Sequence, residues 1–142
     1  MTVKLRILVA SVALGCADST TPEPTPLTLG EFALLSVDGQ TLPRPLTLSG
    51  GNCTVSESTL ELQPTETIQW AIPCDASSPV AAYFLSIPFH QVAVDSFVAP
   101  RFPPTSSVSP SLYGRRSGTT LTVVTLSHNT FGAHKWIFQA VP

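Results

Sequence analysis

Histidine and serine are the residues of this chain whose side chains could carry out catalysis or bind a metal. His128 and His134 flank one predicted turn, so a hairpin could bring them together as metal ligands, with His90 or a carboxylate as a third. No carboxylate lies near them in the sequence, and exposed loop histidines are the simpler interpretation. The chain has no G-x-S-x-G, H-E-x-x-H, P-loop or G-x-G-x-x-G motif. We therefore predict no catalytic residue, no metal and no cofactor.

The first fifteen residues combine positive charge with a short apolar run. Lys4 and Arg6 come first, and residues 7–14 (ILVASVAL) follow as a run far shorter than the ~20 residues that span a bilayer as a helix. Such a segment can engage an export machinery but cannot remain as an anchor. We interpret residues 1–15 as a cleaved signal peptide, which predicts an exported protein.

The apolar run ends in Ala13-Leu14-Gly15-Cys16, which resembles the lipobox of bacterial lipoproteins. In that family a small residue precedes an obligatory cysteine, the thiol is alkylated with diacylglycerol, and a peptidase cleaves before the cysteine. The resemblance implies that Cys16 is the lipid-attachment residue and begins the mature chain. The alternative is an ordinary cleaved signal peptide in which Cys16 is incidental.

Residues 16–26 are predicted to be the lipidated cysteine and a tether. Prolines at positions 22, 24 and 26 forbid a helix and favour polyproline II, so the segment is a semi-stiff spacer of up to ~30 Å. In some bacteria with two membranes, lipoproteins with Asp after the lipidated cysteine are retained in the inner membrane. Here Ala17 follows the cysteine, which favours the outer membrane where there is one. The predicted location is therefore the periplasm or outer face of a bacterial envelope, with the membrane as partner through the N-terminal lipid.

If Cys16 carries the lipid, an even number of cysteines remains, Cys53 and Cys74. In an oxidising compartment we expect them to form a disulfide. Neither cysteine lies in a C-x-x-C motif or beside a histidine, which argues against a metal site. The alternative is two buried free thiols.

Composition indicates one small β-rich domain in residues 27–142. Charged residues are only 11% of the chain. Of the seven basic residues, Lys4 and Arg6 leave with the signal, so five remain against nine acidic ones and the mature net charge is −4. A mildly acidic surface argues against nucleic acid, because phosphates require a basic patch. We predict an all-β monomer: a single antiparallel barrel or sandwich of about seven to nine strands.

The domain opens with residues 31–37 followed by Asp38-Gly39. Asp-Gly after an apolar run predicts a hairpin whose turn has positive φ at both central positions. Pro43 and Pro45 cannot donate to a ladder, so the return arm should be an edge or an irregular crossing. The pattern FxLxSVDGxxLP at residues 32–43 resembles the opening of small bacterial lipoproteins with a lipocalin-like or meandering β-domain, mostly without assigned function.

Residues 54–63 and 67–72 alternate as two strands, with a turn at 64–66. A hairpin centred between Gln63 and Pro64 would place Cys53 opposite Cys74. The same register would leave Ile68 and Trp70 on the face opposite Leu60, so it requires a bulge or a longer turn. We keep the disulfide and leave the register open.

The remaining strands are predicted at residues 80–87, 91–99, 112–116, 119–127 and 133–141. Residues 100–111 (PRFPPTSSVSPS) should form a long exposed loop, or alternatively a binding loop. Arg115-Arg116 is most simply a solvated flank of a turn, although an anionic partner such as a phospholipid headgroup would suit it. In the last strand Trp136 and Phe138 should face one side, and Lys135 and Gln139 the other.

Two classes of function follow from these patterns. The first is a non-catalytic structural or interaction module of the envelope, docking a protein or a polysaccharide. The second is a lipocalin-like module that holds a small apolar ligand among six aromatic residues. These candidate ligand-binding residues are Trp70, Tyr83, Phe84, Phe97, Trp136 and Phe138. Alternatively, the same aromatics fill the core. A third class, an uncharacterised hydrolase, would need a cleft that gathers a histidine with a carboxylate.

Overall fold

The fold is all-β, as the sequence predicts. The computed structural model describes residues 26–48, 51–100, 111–126 and 131–142. The strands of these ranges are β1 (Gly30–Val37), β2 (Gln40–Thr41), β3 (Arg44–Leu48), β4 (Gly51–Val55), β5 (Thr59–Gln63), β6 (Thr67–Pro73), β7 (Ala82–Pro88), β8 (His90–Ala93), β9 (Ser96–Ala99), β10 (Leu112–Ser117), β11 (Thr120–Thr125) and β12 (Lys135–Ala140). Nine of these described strands form a nearly closed, barrel-like antiparallel sheet in the order β7-β6-β5-β1-β12-β11-β10-β9-β8. β2 pairs with β1, and β3 and β4 make a small second sheet.

Several predicted features lie outside the described ranges. They are Cys16 with the tether before residue 26, residues 101–110 of the Pro-rich loop, and His128. Within the described ranges no helix is long and apolar enough to cross a membrane.

β1 joins the two ends of the domain, because it pairs with β5 on one side and with the C-terminal strand β12 on the other. Phe32 and Leu34 point into the core, and a register shift between Leu34 and Ser36 then brings Val37 to the same side. Asp38 (φ 53°) and Gly39 (φ 75°) form the predicted turn. After Thr41 the chain leaves this sheet for the β3–β4 hairpin, as the prolines predict.

The register of β5 and β6 corrects the symmetric hairpin considered above. Leu60 pairs with Trp70 and Leu62 with Ile68, so the turn spans three residues and ends at Glu66, which has a positive φ of 55°. This longer turn puts all four side chains on the buried face. The hairpin centred between Gln63 and Pro64 was therefore wrong, and the parity of the apolar residues decided the register.

The disulfide between Cys53 and Cys74 is confirmed, although not for the reason that the symmetric hairpin gave. Cys53 lies in β4, within the second sheet, and Cys74 follows the end of β6. A bridge between Val55 and Cys74 and a hydrogen bond from Asp75 N–H to Thr54 O bring the two segments together. The disulfide therefore fastens the small sheet to the barrel.

The run at residues 91–99 is not one strand, as was predicted, but the hairpin β8–β9. The chain turns at Val94-Asp95, and the Arg116 backbone N–H donates to Asp95 O. A carboxylate within an apolar run marks the turn, because Asp favours turns over strand interiors. β7 ends at Pro88, which is tolerated because β7 lies at one edge of the sheet.

Two tryptophans form the centre of the core, and each indole N–H has a hydroxyl acceptor. Trp70 and Trp136 pack edge to face with their centroids 5.0 Å apart. Trp70 Nε1 donates to Ser58 Oγ at 2.9 Å, and Trp136 Nε1 donates to Thr125 Oγ1 at 3.2 Å. Both hydroxyls are buried and donate in turn to backbone carbonyls. These bonds hold the rings in fixed orientations, because a buried unpaired N–H would be costly.

Candidate functional site

The six aromatic residues considered as a ligand site do not all line one cavity. Trp70, Phe97, Trp136 and Phe138 are buried in the core, Tyr83 is half-buried, and Phe84 points outward and is 81% exposed. The buried rings pack against other aromatic rings, Trp70 against Trp136 and Phe138, and Phe97 against Phe89 at 5.3 Å. Their faces therefore contact protein, and Phe84 is left on the outside of the sheet.

Phe84 belongs to a groove on the outer surface of β1, β5, β6 and β7, which we call the acidic groove. Its volume is about 380 Å³. It is lined by Glu31, Thr59, Glu61, Gln69, Trp70, Ala71, Phe84, Leu85 and Ser86. Four of these form one row across the sheet, because Glu31 pairs with Glu61, Glu61 with Gln69, and Gln69 with Ser86. In the next row Thr59 and Ala71 are small, which leaves space beside the Phe84 ring.

The polar row offers mainly hydrogen-bond acceptors. Gln69 Nε2 donates to Ser86 Oγ at 2.9 Å, and Glu61 Oε2 accepts from Gln63 Nε2 at 3.2 Å. Glu31 lies opposite Glu61, a like-charge pair that destabilises a sheet. Neither carboxylate forms an ion pair with any residue in the described part of the chain. The groove is therefore suited to a partner that donates hydrogen bonds and has an apolar face for the Phe84 ring.

Sequence reasoning missed the acidic groove. The sequence places Glu61 in the predicted strand at residues 54–63 and Glu31 at the beginning of the run at residues 31–37. Nothing local shows that these strands are neighbours, because Glu31 and Glu61 meet through the pairing of β1 with β5. Phe84 gave no signal either, because the sequence alone does not show that this ring, within an apolar run, is exposed.

A histidine–carboxylate pair lies at the turn between β1 and β2. His134 Nδ1 is 2.7 Å from Asp38 Oδ2, and the ring N–H donates because a carboxylate only accepts. Asp38 Oδ1 also accepts from the Lys135 backbone N–H at 2.8 Å. The expectation of exposed loop histidines was wrong for His134, which is partly buried and paired; His90 is exposed on β8.

The pair joins the β1–β2 turn to the start of β12, and none of the described residues completes it as a catalytic group. His134 Nε2 has no hydrogen-bond partner in the described ranges, so no described hydroxyl is placed as a nucleophile. Among those residues there is also no group of three histidine, cysteine or acidic side chains that could hold a metal ion. The chemistry available here is structural pairing of charge and hydrogen bonds.

The pairing gives stability a defined pH dependence. Burial raises the pKa of Asp38, but hydrogen bonds from the Lys135 N–H and from His134, together with the charge of Arg44, outweigh it and hold the pKa below its usual value. A carboxyl group with a lowered folded-state pKa stabilises the fold above its unfolded-state pKa. That contribution is lost as the pH falls through the lower, folded-state value.

We expect Asp38→Asn to lower the free energy of unfolding by about 1 kcal/mol at neutral pH and by almost nothing near pH 2. The effect is modest because Asp38 is exposed enough for solvent to screen its charge. Asn-Gly is at least as favourable as Asp-Gly in this turn, so the change removes the charge and keeps the backbone. Urea unfolding of both proteins at the two pH values measures the difference, and an equal deficit at both would contradict the assignment.

The two arginines of β10 point in different directions. Arg115 Nε donates to the carboxylate of Asp95 at 2.8 Å, and this bond lowers the pKa of Asp95 against the opposing effect of burial. Its side chain is otherwise 75% exposed on the outer surface. Arg116 Nε donates to Gly118 O, and its guanidinium lies 6.0 Å from the centre of the Phe32 ring. Arg116 therefore flanks the turn, as predicted, but is half-buried instead of fully solvated.

Comparison with family models, curated proteins and solved structures finds no significant match to this chain. The function must therefore be argued from its own residues.

Proposed function

We propose that this protein is exported to a bacterial cell envelope, anchored to a membrane by lipid on Cys16, and works there as a non-catalytic interaction module. The main support for the proposal is that two of its three cysteines are joined in a disulfide and the third is left for the lipid. Cys53 and Cys74 are joined, as is usual for proteins of an oxidising compartment. That leaves Cys16, at the end of the apolar N-terminal segment, as the cysteine available for acylation.

The distribution of polar and apolar groups supports a module that recognises its partner on the outside of the barrel. The interior is occupied by aromatic rings that contact one another, which weighs against the lipocalin-like alternative. The acidic groove is open, with Phe84 exposed beside Glu31 and Glu61. A polysaccharide fits this chemistry, because sugar hydroxyls donate to carboxylates while sugar C–H faces pack on an aromatic ring. A protein of the envelope is the other partner considered.

The hydrolase alternative has less support. His134 and Asp38 form the histidine–carboxylate pair that such an enzyme would need. The other oxygen of the same carboxylate, Asp38 Oδ1, accepts from the Lys135 backbone N–H and ties the turn to β12, and no described hydroxyl meets His134 Nε2. A positioned nucleophile within hydrogen-bond reach is the defining feature of that chemistry.

Mass spectrometry of the membrane fraction tests the anchor. We expect a mature N-terminus at Cys16 carrying acyl groups, and we expect the Cys16→Ser variant to lose both the acyl mass and the membrane association. The serine keeps the size of the side chain but removes the thiolate that is alkylated. A soluble product cleaved at another position would overturn the proposal.

The partner is sought by cross-linking in intact envelopes and co-purification with the acylated protein. Phe84→Ser is the informative variant, because the ring is exposed and its removal leaves the core unchanged. Loss of the co-purified partner in Phe84→Ser, at unchanged membrane association, would support recognition through the acidic groove. An unchanged partner in that variant would place recognition elsewhere on the surface.

A further inference from the structure

A second exposed surface lies on the other half of the sheet, and it is apolar. We define the apolar face by Val92, Val94, Tyr113 and Val124, whose exposure ranges from 37% to 56%. Tyr113 lies opposite Val124 on β11 and opposite Val98 on β9, so these side chains form a continuous surface across three strands. A shallow groove of about 260 Å³ runs through this face.

The described chain begins beside the apolar face. The Leu27 N–H donates to Val94 O at 2.7 Å, and the Leu27 side chain packs against the core. Leu27 is therefore fixed to the β8–β9 turn, at the border of the face. Cys16 precedes it by eleven residues, which span at most ~40 Å when fully extended. A lipid on Cys16 would therefore keep this part of the domain within that distance of the bilayer.

The charges around the apolar face are basic. The Arg115 side chain lies in its groove, and Lys135 is exposed on β12 opposite Val124. Asp95, the nearby carboxylate, is buried and paired with Arg115. Asp38, 36% exposed, lies beside Lys135, and its carboxylate is occupied by the Lys135 backbone N–H and by His134. Glu31 and Glu61 lie farther away, on β1 and β5. An apolar surface rimmed by cations is complementary to a bilayer with anionic headgroups.

We propose that the apolar face rests on the anionic surface of the membrane that carries the lipid anchor. The inference rests on the proposed function, since the anchor supplies the proximity. Four partly exposed side chains bind a bilayer weakly by themselves, but a short tether raises the effective concentration of the surface to the millimolar range. A stable dimer would need about 800 Å² from each partner, which a shallow groove does not provide. With this face on the bilayer, the acidic groove stays open to the solvent.

Tyrosine iodination on vesicles tests the orientation. The chain from Cys16 to Pro142 keeps every described strand, and with Cys53 and Cys74 bridged its free thiol is Cys16, which is coupled to a maleimide lipid. The vesicles contain phosphatidylethanolamine and phosphatidylglycerol. Tyr113 reports on the apolar face, and the exposed Phe84→Tyr substitution reports on the acidic groove. Because coupling replaces acylation, failure of the orientation and failure of the natural anchor are separate results.

We expect coupling to slow iodination of Tyr113 by about threefold or more, with no change at the Phe84→Tyr reporter. Vesicles of phosphatidylcholine, which lack net charge, should give weaker protection. If coupling slowed iodination equally at the two reporters, or slowed it at the Phe84→Tyr reporter alone, the proposal would be overturned. Protection of Tyr113 in concentrated, uncoupled protein without vesicles would also overturn it, since a second copy would then cover the face.

A pair of variants separates the apolar contact from general effects of substitution. Val94→Ser, together with Val92→Ser, should abolish the protection of Tyr113. Val141→Ser is the matched control, because Val141 is 47% exposed, as against 48% for Val94, and its backbone bonds to Glu31 on the other half of the sheet. If Val141→Ser reduced the protection of Tyr113 as much as the Val92→Ser and Val94→Ser pair does, docking through the apolar face would be contradicted.

Discussion

Gly114→Ala is expected to lower the free energy of unfolding by about 3 kcal/mol, because there is no space for a methyl group at this position. Gly114 on β10 lies directly opposite Phe97 on β9. A Cβ at residue 114 would overlap the Cε1 and Cζ atoms of the Phe97 ring. The ring is fully buried and packs against Phe89, so it cannot turn aside without disturbing the core. Urea unfolding followed by the fluorescence of the buried tryptophans measures the loss.

Gly118→Ala is the matched control, since it adds the same methyl group but destabilises the protein through backbone strain instead of steric overlap. Gly118 has a φ of 59° in the β10–β11 turn, and a Cβ there would meet no atom within 4 Å. Its substitution should cost only about 1 kcal/mol of backbone strain. A loss at Gly114 no larger than the loss at Gly118 would contradict the steric explanation.

A double-mutant cycle identifies Phe97 as the partner in the clash. Phe97→Leu shortens the side chain and should itself be destabilising by about 1–2 kcal/mol. In that background the alanine at position 114 has room, so the double variant should lose less than the sum of the two single losses. Strict additivity would show that the ring is not what excludes the methyl group.

Local sequence signals predict the parts of the fold that depend on neighbouring residues. Asp38-Gly39 predicts its turn because positive φ at two successive positions restricts the choice of residues. The alternation of Trp136 and Phe138 with Lys135 and Gln139 predicts which face of β12 is buried. In each case a short stretch contains the whole constraint.

Register and strand order depend on contacts between distant residues, and here sequence reasoning was less successful. The β5–β6 turn could be placed only by requiring that Leu60 and Trp70 share a face, a condition that overrode the symmetry suggested by the cysteines. The candidate sites follow the same rule. Glu31 meets Glu61 across β1 and β5, and His134 meets Asp38 from the opposite end of the chain. Neither pair has a spacing that a motif could describe.

The disulfide is the strongest single link between the two sheets, so its removal has the second large expected effect. Cys53→Ala combined with Cys74→Ala should lower the free energy of unfolding by about 3 kcal/mol in the chain-entropy account, since the bond joins residues 21 positions apart. The double variant is preferred to a single one, which would leave a free thiol. We expect the β3–β4 sheet to separate from β6 first, because the disulfide is the covalent link, whereas the others are hydrogen bonds around Asp75 and the packing of Leu46, Leu48 and Val55 in the core.

Urea unfolding with and without a reductant measures this loss. The reduced wild-type protein should match the double alanine variant, and the reductant should have no further effect on that variant. Cys16→Ser is the control, because the proposed function assigns this cysteine to the lipid rather than to the disulfide, so its replacement should leave the unfolding midpoint unchanged in both conditions. A midpoint for the wild-type protein that does not respond to reduction would show that hydrogen bonds and the packing of Leu46, Leu48 and Val55 hold the small sheet without the disulfide. Stability that depends on the disulfide would instead limit the folded protein to an oxidising compartment, where the proposed function places it.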